Sequence, residues 1–180
     1  MSTEVTSLVY GVKQISISDA TTLSGGAFAT TTNEIVISET KGGITLQRAV
    51  TLTNLTNDRG EVDGVANESD LTTFTLNLRN MTKETFALYS GGYVSGSMVV
   101  PVTGKVTYKA LKIITRDDNE ALTSFEFLIP KASIAPNGSQ SFAAGDAAIP
   151  SLTVTILTPR SGDTDSDGNI MPYVAVDLSA

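Results

Sequence analysis

The chain contains no cysteine, no histidine and no tryptophan. Without cysteine it cannot form disulfides or thiolate metal sites. Without histidine it lacks Ser-His and Cys-His nucleophile pairs, most zinc sites and the usual general base near neutral pH. Paired carboxylates could in principle hydrolyse glycosides, but no tryptophan is present to serve as a sugar platform. We therefore expect a protein that is not an enzyme.

Long apolar runs and a terminal targeting signal are also lacking. No apolar run approaches the roughly 20 residues of a membrane-spanning helix. The first residues, MSTEVTSLVYGVK, do not combine a basic region with an apolar one, so we expect no signal peptide and no membrane partner. The cysteine-free composition fits a reducing cytoplasm. With 180 residues, 41% of them hydrophobic, the chain is expected to form a single domain over residues 1–180.

The net charge of -7 is concentrated in two segments. Residues 161–169 carry three aspartates, and residues 57–70 carry five acids and one base, namely Asp58, Arg59, Glu61, Asp63, Glu68 and Asp70. These two segments hold the whole net charge, and the remainder of the chain balances. No basic patch with interleaved aromatic residues is present, which argues against attractive binding of nucleic acid.

Apolar residues alternate with polar ones along most of the chain. Phe74, Leu76 and Leu78 alternate with threonine, asparagine and arginine, and 152–156 repeats the pattern. Such alternation predicts strands with one buried face. Further strands are predicted over 9–18, 34–38 and 44–52, and 106–115 with 122–129 as a hairpin that Pro130 stops or places at an edge. A last strand, 173–178, is expected to pair with 152–158.

One short helix and one long loop interrupt this pattern. Residues 81–90 are expected to form the helix, with Asn80 or Thr82 as its N-cap and Gly91 and Gly92 at its end. Residues 54–71 form the longest stretch without a clear pattern and predict a long loop, which can also be a hairpin arm. The predicted fold is a mainly β single domain, like a β-sandwich or barrel, with one short helix.

The stretch SGDTDSDGN at 161–169 matches the first half of a calcium loop. Asp163, Asp165 and Asp167 occupy its first, third and fifth positions, and Gly168 its sixth. The twelfth position, which needs a bidentate glutamate in an EF-hand, is Val174, and the neighbouring segments are predicted strands. We therefore expect a solvated acidic turn and no cofactor, with calcium at the three aspartates as the alternative.

Four stretches share their order and character with one known family. The first is TTFTLNLRNMTKETFALYSGG (72–92), a threonine-rich strand that leads into a short helix with a Gly-Gly end. The others are YGVKQISIS, KALKIITRDDNEALTSFEFLIPKASIAP and FAAGDAAIPSLTVTIL. Together they resemble the tail tube (major tail) proteins of long-tailed bacteriophages, and the similarity in order and length covers most of the chain.

The resemblance implies a structural protein of the virion. Proteins of this family form hexameric rings that stack into the tube through which DNA passes to the host. It implies four kinds of partner: copies of the chain itself, a tape-measure protein, tail terminator and distal tail or baseplate proteins, and DNA that passes without specific binding. The expected location is the virion tail, and the host cytoplasm during assembly. The resemblance also implies a long loop that contacts the next ring or lines the lumen, with the acids of 57–70 and Arg59 as its residues.

Two other interpretations stay open. The chain could be a calcium-binding β-sandwich module of a cell surface, with Asp163, Asp165 and Asp167 as ligands. It could also be the inner tube of a contractile tail, because such tubes share the fold of the family. Concentrated acid fits either kind of tube, since a negative wall repels the phosphates of passing DNA.

Overall fold

The computed structural model describes residues 2–37, 40–56, 58–78, 82–102, 108–115, 124–136 and 151–178. Within these ranges the chain is mainly β, as predicted, with one helix. Its elements are β1 (Ser2–Tyr10), β2 (Val12–Asp19), β3 (Leu23–Ser24), β4 (Ala27–Phe28), β5 (Ile35–Ile37), β6 (Thr40–Thr56), β7 (Val62–Leu78), α1 (Lys83–Ser90), β8 (Tyr93–Ser95), β9 (Met98–Val100), β10 (Tyr108–Thr115), β11 (Phe125–Pro136), β12 (Ser151–Ile156) and β13 (Val174–Asp177).

Nine of these strands form one antiparallel sheet. Their order is β1-β6-β7-β12-β11-β10-β2-β5, and β13 pairs with β11 beside this path. The two ends of the order are neighbours in the chain, because Gly11 alone separates β1 from β2 and residues 38 and 39 alone separate β5 from β6. β2 also contacts β6. The sheet therefore curls round into the barrel-like body that the sequence predicts.

The hydrophobic core fills this body with every second residue of its strands. Phe74, Leu76 and Leu78 of β7 are fully buried, and so are Leu152 and Val154 of β12. Each such side chain stabilises the folded state by about 1.5–3 kcal/mol relative to an exposed one. The predicted alternation in these two strands is confirmed, and the core gathers residues from β2, β5, β6, β7, β10, β11 and β12.

The helix α1 begins at Lys83, close to its predicted start. Thr82 is the N-cap: its hydroxyl accepts the backbone N–H of Thr85 at 3.2 Å, and the Thr85 hydroxyl accepts the N–H of Thr82 at 2.8 Å. Gly91 ends the helix in the left-handed conformation, with φ of 65°. Leu88 and Tyr89 pack against the core. Asn80, the other predicted cap, lies outside the described residues.

The predicted hairpin of β10 and β11 is confirmed, but Pro130 does not end its second strand. β11 continues to Pro136, and the register with β10 shifts between Lys109 and Leu111, opposite this proline. A β-bulge absorbs a residue that cannot donate to the ladder. At the same point the other edge of β11 changes partner, from β13 at 125–128 to β12 at 132–136.

The expected pairing of 152–158 with 173–178 is wrong. β12 and β13 lie end to end along the same edge of β11 and are not neighbours in the sheet. β11 is longer than β12 and β13, so one edge of it has room for both strands. Its residues Phe127 and Ala132 are buried in the core. The residues between β12 and β13 are therefore free to leave the sheet, and they contain the acidic stretch 161–169.

The expected long loop at 54–71 is also wrong, and the hairpin-arm interpretation of it is confirmed. β6 runs to Thr56 and β7 starts at Val62, so a tight turn joins two strands of 17 residues each. The strands pair from Thr40↔Leu78 at the body to Thr56↔Val62 at the tip. These strands lack the period-two alternation of apolar residues by which a strand beside a core is recognised, and none of the described side chains of 48–56 and 62–72 belongs to the core.

Candidate functional site

A three-stranded sheet projects from the body and is the first candidate site. It consists of Arg48–Thr56 of β6, Val62–Thr72 of β7 and Ser2–Thr6 of β1, and we call it the arm. β12 pairs with β7 only over 73–77, so the part of β7 that precedes residue 73, Val62–Thr72, projects from the body. At about 3.3 Å per residue, the β7 part of the arm spans roughly 30 Å.

The predicted arm residues occupy three different backbone positions. Asp58, Arg59 and Glu61 lie on the exposed turn at the tip, where Gly60 has φ of 79°. Arg59 and Glu61 both take part in polar or electrostatic interactions. Asp63 and Glu68 stand at two shifts of register in β7, and Asp70 is paired with Val50 within the ladder. The acids are thus spread along one strand and its turn.

The arm also exposes apolar side chains. Leu55 is 53% exposed, Val62 58% and Leu71 47%. Single exposed apolar residues are common on protein surfaces. Here, however, three of them lie on an element that contributes nothing to the core described above. An element of this kind is stabilised further when a partner covers it.

The acidic stretch 161–169 forms a small structured turn outside the sheet. Thr164 and Ile170 form a bridge across it, and the N–H of Asp165 donates to the carbonyl of Asn169 at 2.9 Å. The Asp165 carboxylate accepts the backbone N–H groups of Asn169 at 2.8 Å and Asp167 at 2.9 Å. These bonds, that from Asn169 above all, hold the pKa of Asp165 below its ordinary value.

Asp163 fastens this turn to a distant part of the chain. Its carboxylate accepts the N–H of Gly25 at 3.1 Å and the N–H of Gly26 at 2.7 Å. Its own N–H donates to the carbonyl of Leu23 at 3.1 Å. We call this contact the Asp163 clamp. Both glycines have positive φ, 61° and 75°, so the turn between β3 and β4 presents two adjacent N–H groups to one carboxylate.

The structure does not bring the three aspartates together as metal ligands. The carboxylate of Asp163 binds the β3–β4 turn, that of Asp165 binds its own turn, and Asp167 is exposed. Across the described ranges, no group of three or more acidic side chains could hold a metal ion. A calcium ion would have to compete with four backbone N–H groups for two of these carboxylates. The segment is a structured turn that its own hydrogen bonds and those of Asp163 hold in place.

A second carboxylate holds the long excursion between β2 and β5. Asp19 accepts hydrogen bonds from Lys109 Nζ at 2.8 Å and Asn33 Nδ2 at 2.6 Å. The bond from Lys109 is the main cause that lowers the pKa of Asp19. Sequence reasoning missed both this contact and the Asp163 clamp. A Gly-Gly pair is typical of a turn, but nothing in the sequence indicates its partner 137 residues away.

A groove of about 470 Å³ lies on the outer face of β2, β10, β11 and β13. The hydroxyl-bearing residues Ser16 and Ser18 form part of its wall, and both are buried. Lys112 Nζ and Glu126 Oε1 form an ion pair within it. This pair neutralises its own charges, and the groove offers no base of the kind that histidine supplies, because the chain has none.

No family model matches the chain, and the search of curated proteins finds no match either. In the part of the chain that the structure describes, no helix is both long and apolar enough to cross a membrane. The case for a function therefore depends on the geometry of the arm and on the resemblance in the sequence.

Proposed function

We propose that the chain is a structural subunit of a bacteriophage tail tube. In this proposal copies of the chain form rings, expected to be hexameric, and the rings stack into the tube through which DNA passes to the host. The single observation that carries the proposal is the arm. A barrel-like body that buries its own core also extends a sheet of roughly 30 Å whose two outer strands have unpaired edges among the described residues.

Physical reasoning connects such an arm to self-assembly. A free edge presents a row of unpaired N–H and C=O groups, which soluble proteins normally shorten, charge or cover. A ring of identical subunits can pair such an edge, and stacking of rings can cover apolar residues such as Leu55 and Val62. The arm then gives contacts between neighbouring subunits and between successive rings. Its tip residues Asp58, Arg59 and Glu61 are exposed, and in this proposal the tip contacts the next ring or lines the lumen.

The distribution of acid fits a conduit for DNA. The two segments with the whole net charge are the arm, with its tip, and the turn at 161–169. A negative surface repels phosphate, so DNA slides without sticking, and at physiological salt the repulsion extends about 8 Å from the wall. The further partners in this proposal are a tape-measure protein, tail terminator proteins and distal tail or baseplate proteins. The subunit would be assembled in the host cytoplasm and located in the virion tail.

Two alternatives from the sequence differ from this proposal in what they require. The inner tube of a contractile tail would use the same arm in the same way, and it would require a sheath around it. A calcium-binding surface module would instead need the three aspartates of the acidic turn as ligands. The hydrogen bonds of Asp163 and Asp165 argue against this second alternative.

Electron microscopy of the concentrated, purified chain tests the proposal. We expect rings or tubes with a central hole, and an assembly that depends on protein concentration in analytical ultracentrifugation. A chain that stays monomeric at every concentration and salt would contradict the proposal. If its melting temperature also rose strongly with calcium, the surface module would be the better description.

A further inference from the structure

The arm has two outer edges, and the structure gives them different character. One is the edge of β1 that faces away from β6, and the other is the edge of Val62–Thr72 that faces away from β6. We infer that a second copy of the chain adds a strand to the outer edge of β1, while acidic bulges keep the outer edge of β7 from pairing. This inference depends on the proposed function, since it names which strand joins the subunits.

The β1 edge is regular along its whole length. β1 pairs with β6 from Ser2↔Leu52 to Tyr10↔Ile44 through nine consecutive residue pairs without any shift of register. β1 also stands at the end of the strand order, with β6 as its only partner among the described strands. In a regular strand every second residue directs its N–H and C=O groups outward. The outer edge of β1 is therefore a continuous template for another strand.

The β7 edge is interrupted twice within the arm. The pairs Thr51↔Ser69 and Leu52↔Asn67 leave Glu68 as an extra residue, and the pairs Leu55↔Gly64 and Thr56↔Val62 leave Asp63 as another. A bulge breaks the regular spacing of edge groups and increases the local twist. Both extra residues are acidic, and a charge at an edge also opposes the addition of a strand. Bulges and charge at the same two positions are the devices that block edge pairing.

A second copy of the chain fits the β1 edge better than an unrelated partner. Main-chain pairing selects for an extended strand and very little for side chains, so concentration and geometry decide which strand binds. In the proposed tube, copies of the subunit are the most concentrated partners during assembly, and a closed ring brings a strand of the neighbouring copy to each β1 edge in one fixed orientation. A strand added at β1 also continues the sheet β1-β6-β7, so the arms of successive subunits form one surface.

Hydrogen exchange of single amides, measured on the monomer and on the assembled protein, tests this inference. In the monomer the N–H groups of alternate β1 residues should already be protected by β6. On assembly the intervening β1 amides should slow by more than about tenfold. The outward amides of Val62–Thr72 should keep their monomer rates. If the β7 amides gain protection, or if the β1 amides gain none, the inference is wrong and the tube proposal stands.

Proline variants supply an independent test. Four single variants are made: Val5→Pro and Thr6→Pro in β1, and Val65→Pro and Ala66→Pro in β7. In each adjacent pair one residue directs its N–H outward and the other toward β6. Only the outward proline should leave the fold intact, as circular dichroism and melting will report. The folded β1 variant should fail to assemble, and the folded β7 variant should assemble like the original chain. The reverse result overturns the inference. Failure of the unsubstituted chain to assemble overturns the proposed function and the inference together.

Discussion

At the scale of single residues, Asp163 has the most specific role in the described structure. Its carboxylate joins the acidic turn to the β3–β4 turn through Gly25 and Gly26, and its N–H adds a bond to Leu23 of β3. We expect Asp163→Asn to destabilise the protein by about 1 kcal/mol, because an amide keeps one acceptor oxygen and sets its own N–H groups against the second glycine N–H. Urea unfolding measures this loss.

Amide exchange shows whether the loss arises at the clamp. The N–H groups of Gly25 and Gly26 should exchange faster in Asp163→Asn than in the original chain. Asp167→Asn is the matched control, since its side chain is exposed and it removes the same charge from the same turn. Equal stability and equal exchange in the two variants would show that the clamp contributes nothing measurable.

Asp165 gives a prediction about pH. Backbone N–H groups, first that of Asn169, lower its pKa in the folded protein from 3.8. A lowered pKa means that the unfolded chain binds the proton first, so the contribution of Asp165 is complete above the unfolded pKa. It is lost as the pH falls through the folded pKa. The turn should therefore stay intact down to about pH 4 and loosen below it.

Carboxyl-carbon NMR titration of Asp165, with the amide signal of Asn169 as a second probe, measures this transition. Both signals should move together, with a midpoint under 3.8. In Asp165→Asn the amide signal of Asn169 should lose this transition. A midpoint at or above the ordinary value would mean that the hydrogen bonds from Asn169 and Asp167 do not persist in solution.

At the scale of elements, the stretch 161–169 allows a test between two interpretations, an ordered turn without metal and a calcium loop. In EDTA, the triple variant with asparagine at 163, 165 and 167 should be less stable than the original chain, because Asp163 and Asp165 accept backbone hydrogen bonds without any metal. Isothermal titration calorimetry with calcium should give no binding heat for either protein. Calcium binding that the triple variant abolishes would reinstate the metal interpretation of 161–169.

The elements also show where sequence reasoning succeeds. Leu152, Val154 and Ile156 could be identified because one face of their strand is buried in the core, which imposes period-two alternation. Thr82 and Gly91 could be identified because capping and the left-handed conformation restrict the residue types at helix ends. These signals are local, so one sequence contains them.

Other features could not be predicted because they depend on distant partners. β12 and β13 share β11, and that choice is set by register along a strand remote from both in the sequence. The arm strands carry no apolar alternation in the sequence, and none of their described side chains belongs to the core. The Asp163 clamp joins residues that local patterns cannot relate. The acids of the candidate site could therefore be identified from the sequence. The strands and contacts that position these acids could not.

At the scale of the whole molecule, we expect the body and the arm to contribute to different properties. The core residues lie in the barrel-like body, and the described core residues of β6 and β7 are Ile44, Phe74, Leu76 and Leu78, where these strands enter that body. Stability should therefore depend on the body, and assembly on the arm. A change confined to the arm should affect assembly and leave the free energy of unfolding nearly unaltered, since distant and independent sites have additive effects.

Shortening the arm tests this division. Thr53 and Ala66 are paired across the hairpin, so an Asn-Gly turn can replace Asn54–Val65 without disturbing the register below it. We expect the shortened chain to unfold within about 1 kcal/mol of the original, because no core residue is removed. It should form single rings that no longer stack, since it has lost the tip with Leu55 and Val62. The matched control, Asp58→Asn with Glu61→Gln, keeps the length and removes charge, and it should still form tubes. Tubes of normal length from the shortened chain would show that stacking does not use the arm, whereas loss of tubes in the control would assign stacking to the tip charges.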